Sequence, residues 1–225
     1  LGSRVYDQEL NLVMSEGSGG QGWFNYGAIG SNWSDRLGYW NSGYHSFAYD
    51  MDADGTNMEI VAGSTVYNND GSIYCTLSGE GVADGYPAVA DFDGDGSPEI
   101  VVTGNHEVSL YSGISTGGDC ALIAFNVNDP YDDDDLPSGI EAHPDCDESR
   151  AAYGGQPTVA DFTGDGTLEV GVAGSCWYSI FDYTGDAVFE RIAMTQTRDW
   201  SSASTGSTVF DFNGDGANEV VFSDE

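Results

Sequence analysis

Four stretches of the chain repeat one pattern of apolar and polar positions. Residues 86–104 read YPAVADFDGDGSPEIVVTG, residues 156–174 read QPTVADFTGDGTLEVGVAG, and residues 206–223 read GSTVFDFNGDGANEVVFS. A looser copy at 45–63 reads HSFAYDMDADGTNMEIVAG. In each, a short β-forming run leads into an acidic, glycine-rich turn and then into a second apolar run. Pro87 and Pro157 stand at the start of their first runs, where a missing N–H is tolerated. The second runs, EIVV, EVGV and EVVF, are nearly continuous in apolar residues, which predicts strands covered on both faces.

Two further strands are expected after each of the first three motifs along the chain: 64–68 with 73–77, 108–112 with 121–127, and 176–182 with 187–192. Turn signals such as Asn69-Asp70-Gly71 and Thr184-Gly185-Asp186 join them. Four strands in a repeat of roughly 40–50 residues is the arithmetic of a β-propeller blade. The first Asp of each motif falls at 50, 91, 161 and 211, so loops of unequal length decorate a constant unit. The last motif stops after its second strand, while 4–6 and 11–14 read as a third and a fourth strand. The expected fold is therefore all-β: one domain over 1–225, with repeats near 45–77, 86–127 and 156–192. A further blade is split between the termini, 206–225 completed by 1–14. Such a chain is a sector of a larger propeller or a small closed ring.

Composition sharpens the class. There are 38 Asp and Glu against 5 basic residues, all arginine, for a formal charge of −33. That excludes nucleic-acid binding through a basic stripe and disfavours anionic lipid. No apolar run is long enough to span a membrane as a helix. Without an initiator Met or a signal-like segment, the chain is expected to be a processed product or a fragment. Four cysteines, Cys75, Cys120, Cys146 and Cys176, lack any C-x-x-C pair. They point to disulfides in an oxidising compartment, secreted or at a cell surface, and allow three connectivities.

The acidic turn carries the candidate chemistry. Asp91, Asp93 and Asp95 occupy positions 1, 3 and 5, Gly96 position 6 and Glu99 position 9. Alternate residues of a tight loop converge oxygens on one centre, and the backbone carbonyl of Ser97 would add another. Such a set suits a hard cation, calcium before magnesium. An EF-hand needs an acid at position 12, where these copies carry Val102, Val172, Phe222 and Val61. Asp211, Asn213, Asp215 and Glu219 form a second set, with an amide at position 3. Asp161, Thr163, Asp165 and Glu169 form a third, with a hydroxyl there and weaker binding expected. In the first copy an extra residue precedes Glu59, which leaves Asp50, Asp52 and Asp54 as its set. About one calcium per repeat, roughly three to four in all, is expected. The bland alternative is an Asx-turn that uses Asp and Gly without metal.

The pattern P-x-V-A-D-F-D-G-D-G-x-x-E-I-V-V-x-G resembles the FG-GAP and VCBS-type repeats of integrin α-subunit-like propellers, most of all the bacterial secreted type. The resemblance implies an extracellular β-propeller with calcium in the loops between strands 1 and 2. It implies seven or eight blades in a full ring, of which this chain supplies about four. It also implies a ligand-binding face made by the opposite loops, where the insertions 15–44, 129–155 and 191–206 would gather. The first insertion is aromatic, with Trp23, Tyr26, Trp33, Tyr39 and Trp40 among Gly, Asn and Ser. That mix suits a recognition surface for a protein or glycan, or a lid with a small core of its own. The second is acidic and holds Cys146. On this plan Cys146 pairs with Cys176, and Cys75 with Cys120 by default.

No G-x-S-x-G, H-E-x-x-H or phosphate loop accompanies these features. The expected function is a non-enzymatic, calcium-stabilised module for adhesion or recognition. Two rivals stand beside it. One is a structural subunit that assembles into oligomers or filaments through its split blade, or with a second chain. The other is a polysaccharide-active enzyme.

Overall fold

The computed structural model describes residues 3–6, 9–16, 46–79, 85–104, 107–127, 155–174, 177–198 and 205–223. They form sixteen strands, and among them no helix is long and apolar enough to cross a membrane. β1 (Ser3–Tyr6) and β2 (Leu12–Glu16) make an antiparallel pair. β3 (Phe47–Tyr49), β4 (Glu59–Ala62), β5 (Thr65–Tyr67) and β6 (Ile73–Ser78) form the first four-stranded antiparallel meander. β7 (Tyr86–Ala90), β8 (Glu99–Gly104), β9 (Glu107–Ser112) and β10 (Asp119–Val127) form the second. β11 (Thr158–Ala160), β12 (Glu169–Gly174), β13 (Trp177–Asp182) and β14 (Glu190–Gln196) form the third. β15 (Ser207–Phe210) and β16 (Glu219–Phe222) are a hairpin that repeats the first half of a meander.

The apolar second runs explain how the meanders stack. All six residues of β8 and all six of β12 are buried. Successive strand residues point to opposite faces. Ile100 and Val102 therefore join Met51, Val61, Val66 and Leu77 of the first meander in one core. Val101 joins Phe92, Val170, Val172, Phe181 and Phe189 in another, between the second and third meanders. The second meander is thus a layer with a core on either side.

The outer strands are stitched as well. β6 pairs in parallel with the start of β10, Thr76 opposite Asp119 and Leu77 opposite Cys120, which merges the first two meanders into one eight-stranded sheet. Cys75 of β6 and Cys120 of β10 form a disulfide across this seam, the pairing expected by default. Cys146 and Cys176 lie outside the described residues. Further along, Phe125 of β10 makes a parallel bridge with Val188, and its N–H donates to Ala187 O. Residues 187 and 188 therefore serve the neighbouring meander, and β14 begins at Glu190, later than the apolar run suggests.

Candidate metal centres

All four acidic turns fold into the same hydrogen-bonded loop between the first and second strand of a repeat. The Asp at position 1 accepts the N–H of the glycine at position 6, Gly55, Gly96, Gly166 and Gly216, at 2.9 to 3.0 Å. The Asp at position 5 accepts the N–H two residues on, from Thr56, Ser97, Thr167 and Ala217. The Glu that opens the second strand reaches back to the N–H at position 2. Met51 N–H donates to Glu59, Phe92 to Glu99, Phe162 to Glu169 and Phe212 to Glu219, at 2.6 to 2.9 Å. Glycine at position 4 holds a left-handed φ of 72 to 76° at Gly94, Gly164 and Gly214; in the first loop Ala53 takes the same turn at 53°.

These bonds gather carboxylates. One oxygen from each of Asp91, Asp93 and Glu99 lies within 4.8 Å of the others, and the same holds for Asp161, Asp165 and Glu169 and for Asp211, Asp215 and Glu219. In the first loop the trio is Asp50, Asp52 and Asp54. Asp95 stands outside its trio, with its carboxylate on Ser97 N–H at 2.7 Å. Thr163 donates from N–H and hydroxyl to Glu169. Asn213 donates its amide to Glu219 at 2.6 Å and accepts Asp215 N–H at 2.8 Å.

Glu59 stays outside the first trio but keeps the loop-closing hydrogen bond of its counterparts. The extra loop residue is absorbed before the strand, and Glu59 is buried, as Glu99 and Glu169 are, and clamped like its three counterparts. The Glu-Ile-Val that begins at position 59 matches Glu99-Ile100-Val101 and is the signal that aligns them.

The electrostatics separate the loops. Glu99 is 5 % exposed, and burial first, then Asp93, Asp91 and Asp95, push its carboxyl up to about 7. Burial also raises Glu59 and Glu169. Hydrogen bonds from the Thr56 and Thr167 hydroxyls hold Asp54 and Asp165 low. In the second loop Asp91 Oδ1 is buried with no hydrogen-bond partner. An unpartnered carboxylate oxygen beside a buried glutamate fits a hard cation, which satisfies both where a proton donor is lacking. In the third and fourth loops Thr163 and Asn213 supply donors that partly do this work.

Residues 161–222 match the FG-GAP-like repeat family. The match spans the third and fourth loops with the strands between them. No curated protein sequence matches the chain. Among solved structures, the exotype rhamnogalacturonan lyase YesX aligns over 80 % of this chain and 38 % of its own, with 15 % identity and a TM-score of 0.52. The V. cholerae biofilm matrix protein Bap1 aligns over 79 % of this chain and 27 % of its own, with 22 % identity and a TM-score of 0.43. A protein of Agrocybe aegerita, solved for its recognition of non-reducing terminal N-acetylglucosamine, aligns over 79 % and 46 %, with 21 % identity and a TM-score of 0.44. The chain spans less than half the length of each. The likeness to YesX is one of fold.

The aromatic candidates Trp23, Tyr26, Trp33, Tyr39 and Trp40 lie outside the described residues, as does the acidic insertion.

Proposed function

We propose that this chain is part of a calcium-fastened β-propeller that works outside the cell as a recognition or adhesion module for a protein or glycan. The observation that carries the reading is the acidic loop built four times with one set of hydrogen bonds. The loops join the first and second strands of successive repeats, and β7, β11 and β15 run beside one another, as strands nearest a central axis do. Calcium would sit on the carboxylate trios with oxygen ligands alone. Its work is to fasten strand to strand and neutralise clustered charge, not to activate a substrate. The disulfide suits an oxidising compartment. Recognition is assigned to the aromatic segment 15–44, and no catalytic step is assigned.

The test pairs melting with binding. Calcium should raise the melting temperature in ordinary salt and chelator should lower it, because a bound ion stabilises only the folded state. Binding to immobilised glycans and proteins should require calcium and be lost in Trp33→Ala with Trp40→Ala. An unchanged melting temperature sinks the calcium reading. Depolymerisation of a polysaccharide by the pure chain overturns the non-enzymatic one.

A second reading, assembly, is favoured by the last hairpin. Phe212 is 61 % exposed and Val221 50 %, whereas their counterparts Phe92 and Val101 are 3 % and 0 % exposed against the next meander. Phe210 adds to that apolar face. β16 also pairs only with β15 among the described strands, whereas β8 and β12 each carry a third strand on the other edge. The β1–β2 hairpin could supply the missing strands in the same molecule or in another copy. Light scattering with and without calcium separates these: a monomer supports closure within one chain, and a larger species that Phe212→Ser disperses supports assembly.

A further inference from the structure

The third and fourth acidic loops touch directly. Asn218, which stands between Ala217 and Glu219 of the fourth loop, donates twice to the carbonyl oxygen of Asp161, from its N–H at 2.8 Å and from Nδ2 at 2.9 Å. Asp161 opens the third loop, and its carboxylate holds the N–H groups of Gly164 and Gly166 at 2.6 and 2.9 Å. The fit is close on the other side too, since a Cβ on Gly164 would lie 3.3 Å from Ala217 Cβ.

The neighbours of Asn218 belong to the fourth trio's framework. Ala217 N–H is held by Asp215, while Glu219 takes the Phe212 N–H and the Asn213 amide. Whatever fixes Asp215 and Glu219 therefore fixes Asn218, and through it the backbone of Asp161. The other loops lack this link. Pro98, the counterpart in the second loop, has no N–H, and Leu168 in the third has no side-chain donor. Among the described residues no corresponding backbone bond joins those loops to their predecessors.

Building on the calcium reading above, we propose that Asn218 couples the last two loops, so that a cation in the fourth tightens binding in the third. Asn218 acts here as a positioning residue and not as a ligand. The coupling is reciprocal, because linkage between two equilibria has no direction. The second loop stands outside it.

The test is a calcium titration of the full chain followed by hydrogen exchange of the segments 91–99, 161–169 and 211–219. Asp215→Ala disables the fourth trio. It should move the calcium midpoint for protection of 161–169 upward by about fivefold or more, the range of ordinary coupling, and leave that of 91–99 in place. Asn218→Pro, which removes both donors as Pro98 does in the second loop, should move the 161–169 midpoint similarly, and adding Asp215→Ala to it should move it no further. Asn218→Ala removes only the side-chain donor and gives an intermediate shift, which covers the case that the proline variant does not fold. An unmoved 161–169 midpoint in Asp215→Ala overturns the proposal, and so does an equal shift in the Asn218→Pro background. Absence of calcium-dependent protection at every loop would instead sink the calcium reading itself.

Discussion

The hydroxyl of Tyr178 stands where a side chain on Gly171 would begin: a Cβ there would lie 2.2 Å from it and 3.0 Å from Phe162 Cζ. The second meander solves the same packing problem with Val101 on β8 and Val108 on β9, both fully buried. Here the bulk has moved to the third strand. Its hydroxyl meets Ser207 of β15 at 2.8 Å, and Ser207 in turn meets Thr158 at 2.7 Å. Gly171→Ala should cost about 1–3 kcal/mol by overpacking. Tyr178→Val added to it should cost less than the sum of the two single changes. Urea unfolding of the two single variants and the double variant measures this coupling, and simple additivity would refute the exchange.

Glu99 ties stability to pH. Its folded carboxyl titrates near 7, above the ordinary 4.5, because it is buried beside Asp93, Asp91 and Asp95. The folded state therefore holds the proton more tightly than the unfolded chain. The resulting stabilisation is complete below pH 4.5 and is lost as pH rises through 7. Calcium-free protein should thus melt at lower temperature as pH climbs across this window. Glu99→Gln should show a flatter profile than the parent, and so should Asp93→Asn, which removes a repelling charge. Asp93→Asn should also weaken calcium binding. Parallel profiles for all three proteins would contradict the assignment.

Ala53 holds a left-handed φ that glycine holds in the other three loops. A Cβ in that conformation crowds the carbonyl and costs roughly 1–2 kcal/mol. Glycine gives back part of the gain as chain entropy in the unfolded state. Ala53→Gly should therefore raise stability by a few tenths to about 1 kcal/mol. It should also lower the calcium midpoint for hydrogen-exchange protection of the first loop. A lower melting temperature in this variant would count against the strain.

The Cys75–Cys120 bridge spans 45 residues and joins the outer strands of two layers. Closing a loop of that size removes enough unfolded-state entropy to stabilise the fold by about 4 kcal/mol on a chain-entropy model. The double variant with serine at both positions should lose most of that in denaturant unfolding. The parallel seam between β6 and β10 should exchange its amide hydrogens faster, while the third meander should not. Loss of protection spread evenly through all the described strands would show that the bridge stiffens more than its seam.

Much of this architecture is legible in one dimension. Nine residues from Asp91 to Glu99 contain the donors and acceptors that close the loop, so a fixed spacing of Asp, Gly and Glu determines its shape without help from elsewhere. The nearly continuous apolar runs Ile100–Val102 and Val170–Ala173 likewise announce strands buried on both faces, because a strand with a wet face must alternate. What the chain by itself could not decide is whatever depends on how the layers meet. Val221 reads like Val101 in sequence, yet one is half exposed and the other buried, since only the neighbouring meander distinguishes them. The inserted residue before Glu59 looks like a broken loop until the turn absorbs it and Glu59 takes the Met51 N–H. Gly171 makes sense only beside Tyr178, and Asn218 only beside Asp161, which is 57 residues away in sequence. Local hydrogen bonds are set by spacing along the chain, whereas contacts between layers are set by packing, and packing is settled only when the whole stack has formed.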